Sequence, residues 1–128
     1  MITKQKIIYL LSLFSLMSIG WGCIDGIEVE LWGECYSIEN TIELDLSYIG
    51  ITGEIPPEIG NLTKLVKLEL EYNNLSGPIH AELWILDSLT ELGLQKNQFT
   101  GSIPAEIGNL TRLTHLYLYG HQFNGSIT

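Results

Sequence analysis

ITGEIPPEIGNLTKL occupies Ile51 to Leu65, and FTGSIPAEIGNLTRL, Phe99 to Leu113, follows 48 residues later. Eleven of the fifteen aligned positions are identical. Half that interval, 24 residues, brings further positions into register. Leu44, Leu68, Leu92 and Leu116 form one column, and Leu46, Leu70, Leu94 and Leu118 a second. Gly53, Gly77, Gly101 and Gly125 form a third, and Ile55, Ile79, Ile103 and Ile127 a fourth. Four columns kept over four cycles signal a stacked repeat, in which each unit buries its apolar face against its neighbours.

Within a unit the chemistry changes in order. LVKLELEY (Leu65 to Tyr72) and LTHLYLYG (Leu113 to Gly120) alternate apolar and polar residues, the pattern of a half-buried strand. Asn73 and Asn97 follow, where a side-chain amide can satisfy backbone groups bared by a bend. The glycine column permits a tight passage at positive φ. Pro56 and Pro104 then stop any strand. The stretches PEIGNLTKL and AEIGNLTRL leave room for about one helical or 3₁₀ turn before the next strand. Ahead of the repeats, IEVELW alternates, Gly33-Glu34 supplies a two-residue turn, and CYSI continues extended. This predicts a hairpin with glycine first in the turn, covering the leucines of the first repeat.

These units resemble the 24-residue plant-type leucine-rich repeat of plant receptor ectodomains, polygalacturonase-inhibiting proteins and some exported bacterial proteins. The resemblance covers Thr41 to Thr128. It implies a leucine-rich repeat solenoid, a right-handed coil with a parallel β-sheet on its concave face and short helical, 3₁₀ or irregular segments on the convex side. A short second strand near T-G-x-I-P is implied as well. Cys35-Tyr36 is similar to the disulfide-bearing N-terminal cap of such proteins. The organisation expected is a signal peptide at 1–22, a cap at 23–40, and repeats at 41–64, 65–88, 89–112 and an incomplete 113–128. The departures lie mostly at the ends of the stack. The Asn column reads Ile49, Asn73, Asn97, His121, and the Pro column reads Pro56, His80, Pro104, Thr128. Trp84 stands where Gly60 and Gly108 stand in other units.

The signal peptide is read from Lys4 and Lys6, the apolar run IIYLLSLFSLMSI, and the small residues Gly20 and Gly22. Export, to a secreted, cell-surface or periplasmic location, is the expectation. Cleavage leaves four basic against fifteen acidic residues, a formal charge of −11. So acidic a chain does not suit nucleic acid, whose phosphates are met by clustered Lys and Arg. Cys23 and Cys35 are the only cysteines. They flank the predicted hairpin and are expected to pair. The alternative, lipidation of Cys23, excludes that pairing. Sequons occur at Asn61, Asn74, Asn109 and Asn124.

No catalytic motif is present: there is no G-x-S-x-G, no H-E-x-x-H and no phosphate loop. An enzyme, a metal and a cofactor are therefore not expected; His115 and His121 lack a fixed third ligand. The repeat builds a surface instead. Outward columns read Glu43, Lys67, Glu91, His115, then Asp45, Glu69, Gly93, Tyr117. They continue with Ser47, Glu71, Gln95, Tyr119 and Tyr48, Tyr72, Lys96, Gly120. These positions vary while the structural columns hardly do, as on a scaffold with a tunable face. The expected binding residues are Glu43, Asp45, Tyr48, Lys67, Glu69, Glu71, Tyr72, Lys96, His115, Tyr117 and Tyr119, recognising a protein or glycan. One alternative uses the column Thr52, Ser76, Thr100, Asn124 to match ice or a crystalline polysaccharide. Another makes the chain a fragment of a longer leucine-rich repeat receptor. Leu113, Leu116, Leu118, Phe123 and Ile127 have no fifth unit over them, which predicts fraying or self-association at that end.

Overall fold

The computed structural model describes residues 22–121. The signal-peptide reading therefore lies almost wholly outside the described residues, as do Phe123, Asn124, Gly125, Ser126, Ile127 and Thr128. A two-stranded antiparallel hairpin comes first, β1 (Glu28–Leu31) with β2 (Glu34–Ser37). Four coils follow. Each contributes one strand to a parallel sheet ordered β3 (Glu43–Asp45), β5 (Lys67–Glu69), β7 (Glu91–Gly93) and β9 (His115–Tyr117). A second parallel sheet joins β4 (Thr52–Gly53), β6 (Asn74–Gly77) and β8 (Gln98–Phe99). Short 3₁₀ helices at Pro57–Asn61, Ala81–Ile85 and Ala105–Asn109 return the chain to the first sheet.

The 24-residue step survives in the first sheet, where Leu44 pairs with Leu68, Leu68 with Leu92, and Leu92 with Leu116. Leu44, Leu68 and Leu92 are fully buried, and Leu70, Leu94, Ile55, Ile59, Leu75 and Phe99 join them in one core. Trp84 is fully buried too, so the bulky residue in a glycine column fills core space. Gly60 explains why that column otherwise favours glycine. A Cβ there would stand 2.9 Å from the Glu82 carbonyl oxygen of the next coil. In the fourth unit Leu113, Leu116 and Leu118 are only partly buried, unlike their counterparts one unit earlier.

Sequence and structure differ at the cap turn. Leu31 pairs with Glu34, so the turn residues are Trp32 and Gly33 and not Gly33 and Glu34. Both have positive φ, 49° and 82°, which makes the turn type I′. Glycine sits second in it, and Trp32 takes the strained first place while packing against the core. The Cys23–Cys35 disulfide is formed with its Cα atoms 5.4 Å apart, which occupies the sulfur that lipidation would need.

Asn73 and Asn97 stitch coil to coil. Asn73 Oδ1 accepts from the amides of Ile49, Gly50 and Ile51 at 3.1, 2.8 and 3.2 Å. Its Nδ2 donates to the carbonyls of Leu46 and Leu70 at 2.8 and 2.9 Å. Asn97 repeats the pattern one coil later, accepting from Leu75 N at 3.0 Å and donating to Leu70 O at 2.9 Å. His121 inherits the place: its ring faces the backbone of Asn97 and Leu94, and desolvation lowers its pKa.

Replacing Asn73 by Ala strands several buried backbone groups and is expected to cost roughly 2–4 kcal/mol in urea unfolding. A loss under about 0.5 kcal/mol, the size of an ordinary surface change, contradicts the stitch. Replacing both cysteines by Ala opens a short loop and should lower stability by about 2–3 kcal/mol in the same assay.

Candidate functional site

The parallel pairing builds the concave face directly. Glu43, Lys67, Glu91 and His115 lie on one cross-strand row, and Asp45, Glu69, Gly93 and Tyr117 on the next. Hydrogen bonding continues past the strands, with Leu46 N to Glu69 O at 2.8 Å, Tyr48 N to Glu71 O at 3.2 Å and Tyr72 N to Gln95 O at 3.1 Å. The last outward column is not strand. Tyr48, Tyr72 and Lys96 have φ of 57°, 54° and 57°, with Gly120 at 79°. Each coil therefore leaves the sheet through a left-handed residue that holds its side chain at the rim.

Rings at that rim meet across coils. Tyr48 and Tyr72 stack with centroids 4.4 Å apart and planes 11° apart. Tyr72 acts on the hydroxyls of both Tyr48 and Tyr119. Local desolvation, then the Tyr72 hydroxyl and the Glu71 charge, hold the Tyr48 and Tyr119 hydroxyls above the ordinary phenol range. Lys96 Nζ sits 5.6 Å from the Tyr119 ring centre, a cation–π distance. Tyr48, Tyr72, Tyr117 and Tyr119 all remain exposed.

The acidic side divides in two. Glu43 is exposed, and the Asp45 carboxylate accepts from the amide and hydroxyl of Ser47 at 3.0 and 2.5 Å, a local bond within its own turn. Further along, Lys67 Nζ lies 3.1 Å from Glu91 and 3.4 Å from Glu69. The Glu91 hydrogen bond, against some desolvation, holds the Lys67 ammonium above its ordinary range. The Glu69 carboxylate folds over Gly93 into the space a Cβ would take, and Glu71 Oε2 comes within 2.8 Å of that point. Burial first, then the hydrogen bond and charge of Glu71, push Glu69 up to about 7, against the pull of Lys67.

Most of the sequence-predicted binding residues thus share one face. Tyr48, Glu69, Glu71, Tyr72, Lys96 and Tyr119 cluster, while Glu43 and Asp45 lie one strand over, at the edge beside Lys67 and Glu69. His115 accompanies Tyr117 with ring centres 6.3 Å apart. Glu91, Gly93 and Gln95 were not singled out, although they occupy the same columns. Gly93 carries its signal in being the one residue without a side chain in its column. His121 is turned to backbone and not toward His115. Among the described residues, Cys23, Glu28 and Cys35 come within 4.8 Å of one another, but the disulfide uses both sulfurs.

Native Glu69 keeps its proton up to about 7, whereas an unperturbed glutamate loses it near 4.5. The native state therefore binds more protons in that window, and the Glu69 contribution to stability, full below it, is lost as pH rises through it. His121, with its lowered pKa, acts in the opposite sense. Urea midpoints of parent and Glu69→Gln should accordingly diverge with pH, the variant gaining on the parent from about pH 5 to pH 7. A constant difference between the two contradicts the buried, shared proton.

The family model described as Leucine Rich Repeat matches residues 40–62 and 88–110. Among solved structures, the plant peptide hormone receptor RGFR1, in complex with RGF2, is 44% identical with a TM-score of 0.65, over 66% of this chain and 14% of that one. The Arabidopsis receptor kinase HAESA, in complex with the peptide hormone IDA and the co-receptor SERK1, is 42% identical with a TM-score of 0.64, over 66% and 14%. A plant ice-binding protein is 33% identical with a TM-score of 0.61, over 63% and 26%. The chain thus spans about one seventh of the two receptor chains. No curated protein sequence matches it. Its period, its two matched segments and its paired parallel sheets make this chain a member of the leucine-rich repeat family.

Proposed function

We propose that the chain is a non-enzymatic binding module, displayed outside the cell or on its surface, that recognises a peptide or protein segment across its concave sheet. The observation that carries this reading is the exposed run Tyr48, Tyr72, Lys96 and Tyr119 beside the Glu69–Glu71 pair. Tyrosines with an apolar body and a wet end are favoured anchors in recognition surfaces. Here they are set on a stiff frame, and residues held before binding lose little freedom on it. The receptor ectodomains it resembles are seen in complex with peptide hormones and co-receptors. The cap disulfide suits an oxidising compartment.

The ordered-lattice alternative draws less support from the geometry. The second sheet steps by 22 residues, pairing Thr52 with Asn74 and Ser76 with Gln98. Thr52, Ser76 and Thr100 therefore do not face one another across adjacent strands as a regular rank would.

A peptide library displayed against the chain, followed by calorimetry on the best binder, tests the reading. Tyr72→Ala and Tyr119→Ala should each weaken binding by about 1–2 kcal/mol, as interface anchors do, and leave unfolding midpoints nearly unchanged. Thr52→Ala and Thr100→Ala should have no effect. Loss of function from the threonine changes alone transfers the activity to the other sheet.

A further inference from the structure

The floor of the concave face collects more acceptors than donors. Glu71 Oε2 is shut away from solvent, and the group that meets it over Gly93 is the Glu69 carboxyl, whose proton the two share. Gln95 Oε1 is shut away with no hydrogen-bond partner, on a residue only 9% exposed. Strand alternation aims Gln95 outward, since Leu94 before it is fully buried inward. It stands in the column between Glu71 and Tyr119. The Glu69 side chain, 12% exposed, lies over Gly93 beside them. Lys67 is divided between Glu69 at 3.4 Å and Glu91 at 3.1 Å. Buried acceptors left unpaired are costly and are normally satisfied, so this floor is complete only when a donor-rich group enters it.

Resting on the concave-face reading above, we propose that Glu69, Glu71 and Gln95, over the gap left by Gly93, form a subsite for a guanidinium group, the arginine side chain of a peptide ligand. A guanidinium is planar, carries five donors in a fixed fork and meets carboxylates in pairs of parallel hydrogen bonds. It also stacks on aromatic rings, and the tyrosine rim adjoins the floor, since the Glu71 charge reaches the Tyr48 and Tyr119 hydroxyls. An ammonium offers a compact point charge and cannot serve three separated acceptors as well. Calcium prefers six to eight oxygens, more than these three side chains provide, and it would lie close to the Lys67 ammonium. Gly93 is what gives the Glu69 carboxylate its place in the floor. Any side chain there would occupy the place of the Glu69 carboxylate.

Titrating the full chain by NMR with N-acetyl-arginine-N-methylamide, and with its lysine and citrulline counterparts, tests the subsite. The arginine probe should move the Gln95 side-chain amide and the Tyr72 and Tyr119 ring signals. The lysine probe should bind several-fold more weakly, and the uncharged citrulline probe should not saturate. Glu71→Gln and Gly93→Ala should each weaken the arginine probe about tenfold or more, while Glu106→Gln, exposed on the last 3₁₀ helix, leaves it unchanged. Unfolding midpoints of each variant separate lost binding from lost fold. Citrulline binding equal to arginine, indifference to Glu71→Gln, or calcium saturating the same signals while arginine does not, each overturns the proposal. A peptide that depends on Tyr72 but not on its own arginines or on Glu71 overturns this subsite alone. Indifference to Tyr72 and Tyr119 as well removes the concave-face reading.

Discussion

The solenoid depends on the side-chain amide of Asn73 and its repeat at Asn97. Each coil must turn sharply out of the sheet, and the turn points three successive amides, those of Ile49, Gly50 and Ile51, toward the interior. Leucine in the core can cover such groups but cannot satisfy them. The Asn73 amide does both, because its oxygen accepts from one coil while its nitrogen reaches carbonyls of two. Hydrophobic burial is the larger contribution to stability, but it is non-directional. The amide stitch sets how one coil registers on the next. Where His121 replaces asparagine, the ring reaches the Leu94 carbonyl's backbone neighbourhood as Asn97 reaches Leu70.

Once the register is fixed, the outer surface follows from strand spacing. Neighbouring strands lie about 4.8 Å apart, and stacked aromatic rings favour a similar separation. Two tyrosines in the same repeat position are therefore brought to stacking distance by the frame itself, as the 4.4 Å separation of Tyr48 and Tyr72 shows. Left-handed backbone at both residues holds the rings at the rim. The carboxylates of Glu69 and Glu71, two residues apart on one coil, meet over Gly93 of the next, and Glu69 responds by retaining its proton well above the usual glutamate range.

The periodic part of this molecule was legible in the sequence because a stack needs the same residue at the same step. The leucine, glycine and asparagine columns translate into core, positive-φ passage and stitch, with Gly53, Gly77 and Gly101 at φ of 80°, 77° and 80°. What was not legible depends on side chains from different columns meeting. The Glu69 carboxylate leaning over Gly93 joins two coils and two residue types. The cap turn was misplaced by one residue because glycine satisfies a positive φ at either central position. Only the pairing of Leu31 with Glu34, with Trp32 accepting the other strained place, decides between them. The second sheet's 22-residue step was hidden as well, since the glycine column repeats at 24 while the pairing there is offset by two.

A crowded acid pair and unpaired acceptors are features a core would be selected against, yet here they sit on the most regular sheet of the molecule. The frame can hold them because its own stability comes from other residues. Leu68, Leu70, Leu92 and Leu94, on the opposite side of the same strands, are fully buried. Alternation along the strand therefore separates two jobs residue by residue. The inward positions specify the coil, and the outward positions are free to hold arrangements that isolated side chains would avoid. Local inconsistency in an otherwise consistent fold is where function is expected to reside. On this face of the chain such inconsistency gathers at Glu69, Glu71, Gly93 and Gln95. A ligand that supplies donors to that floor gains the hydrogen bonds the folded chain leaves unmade, without disturbing the leucines beneath.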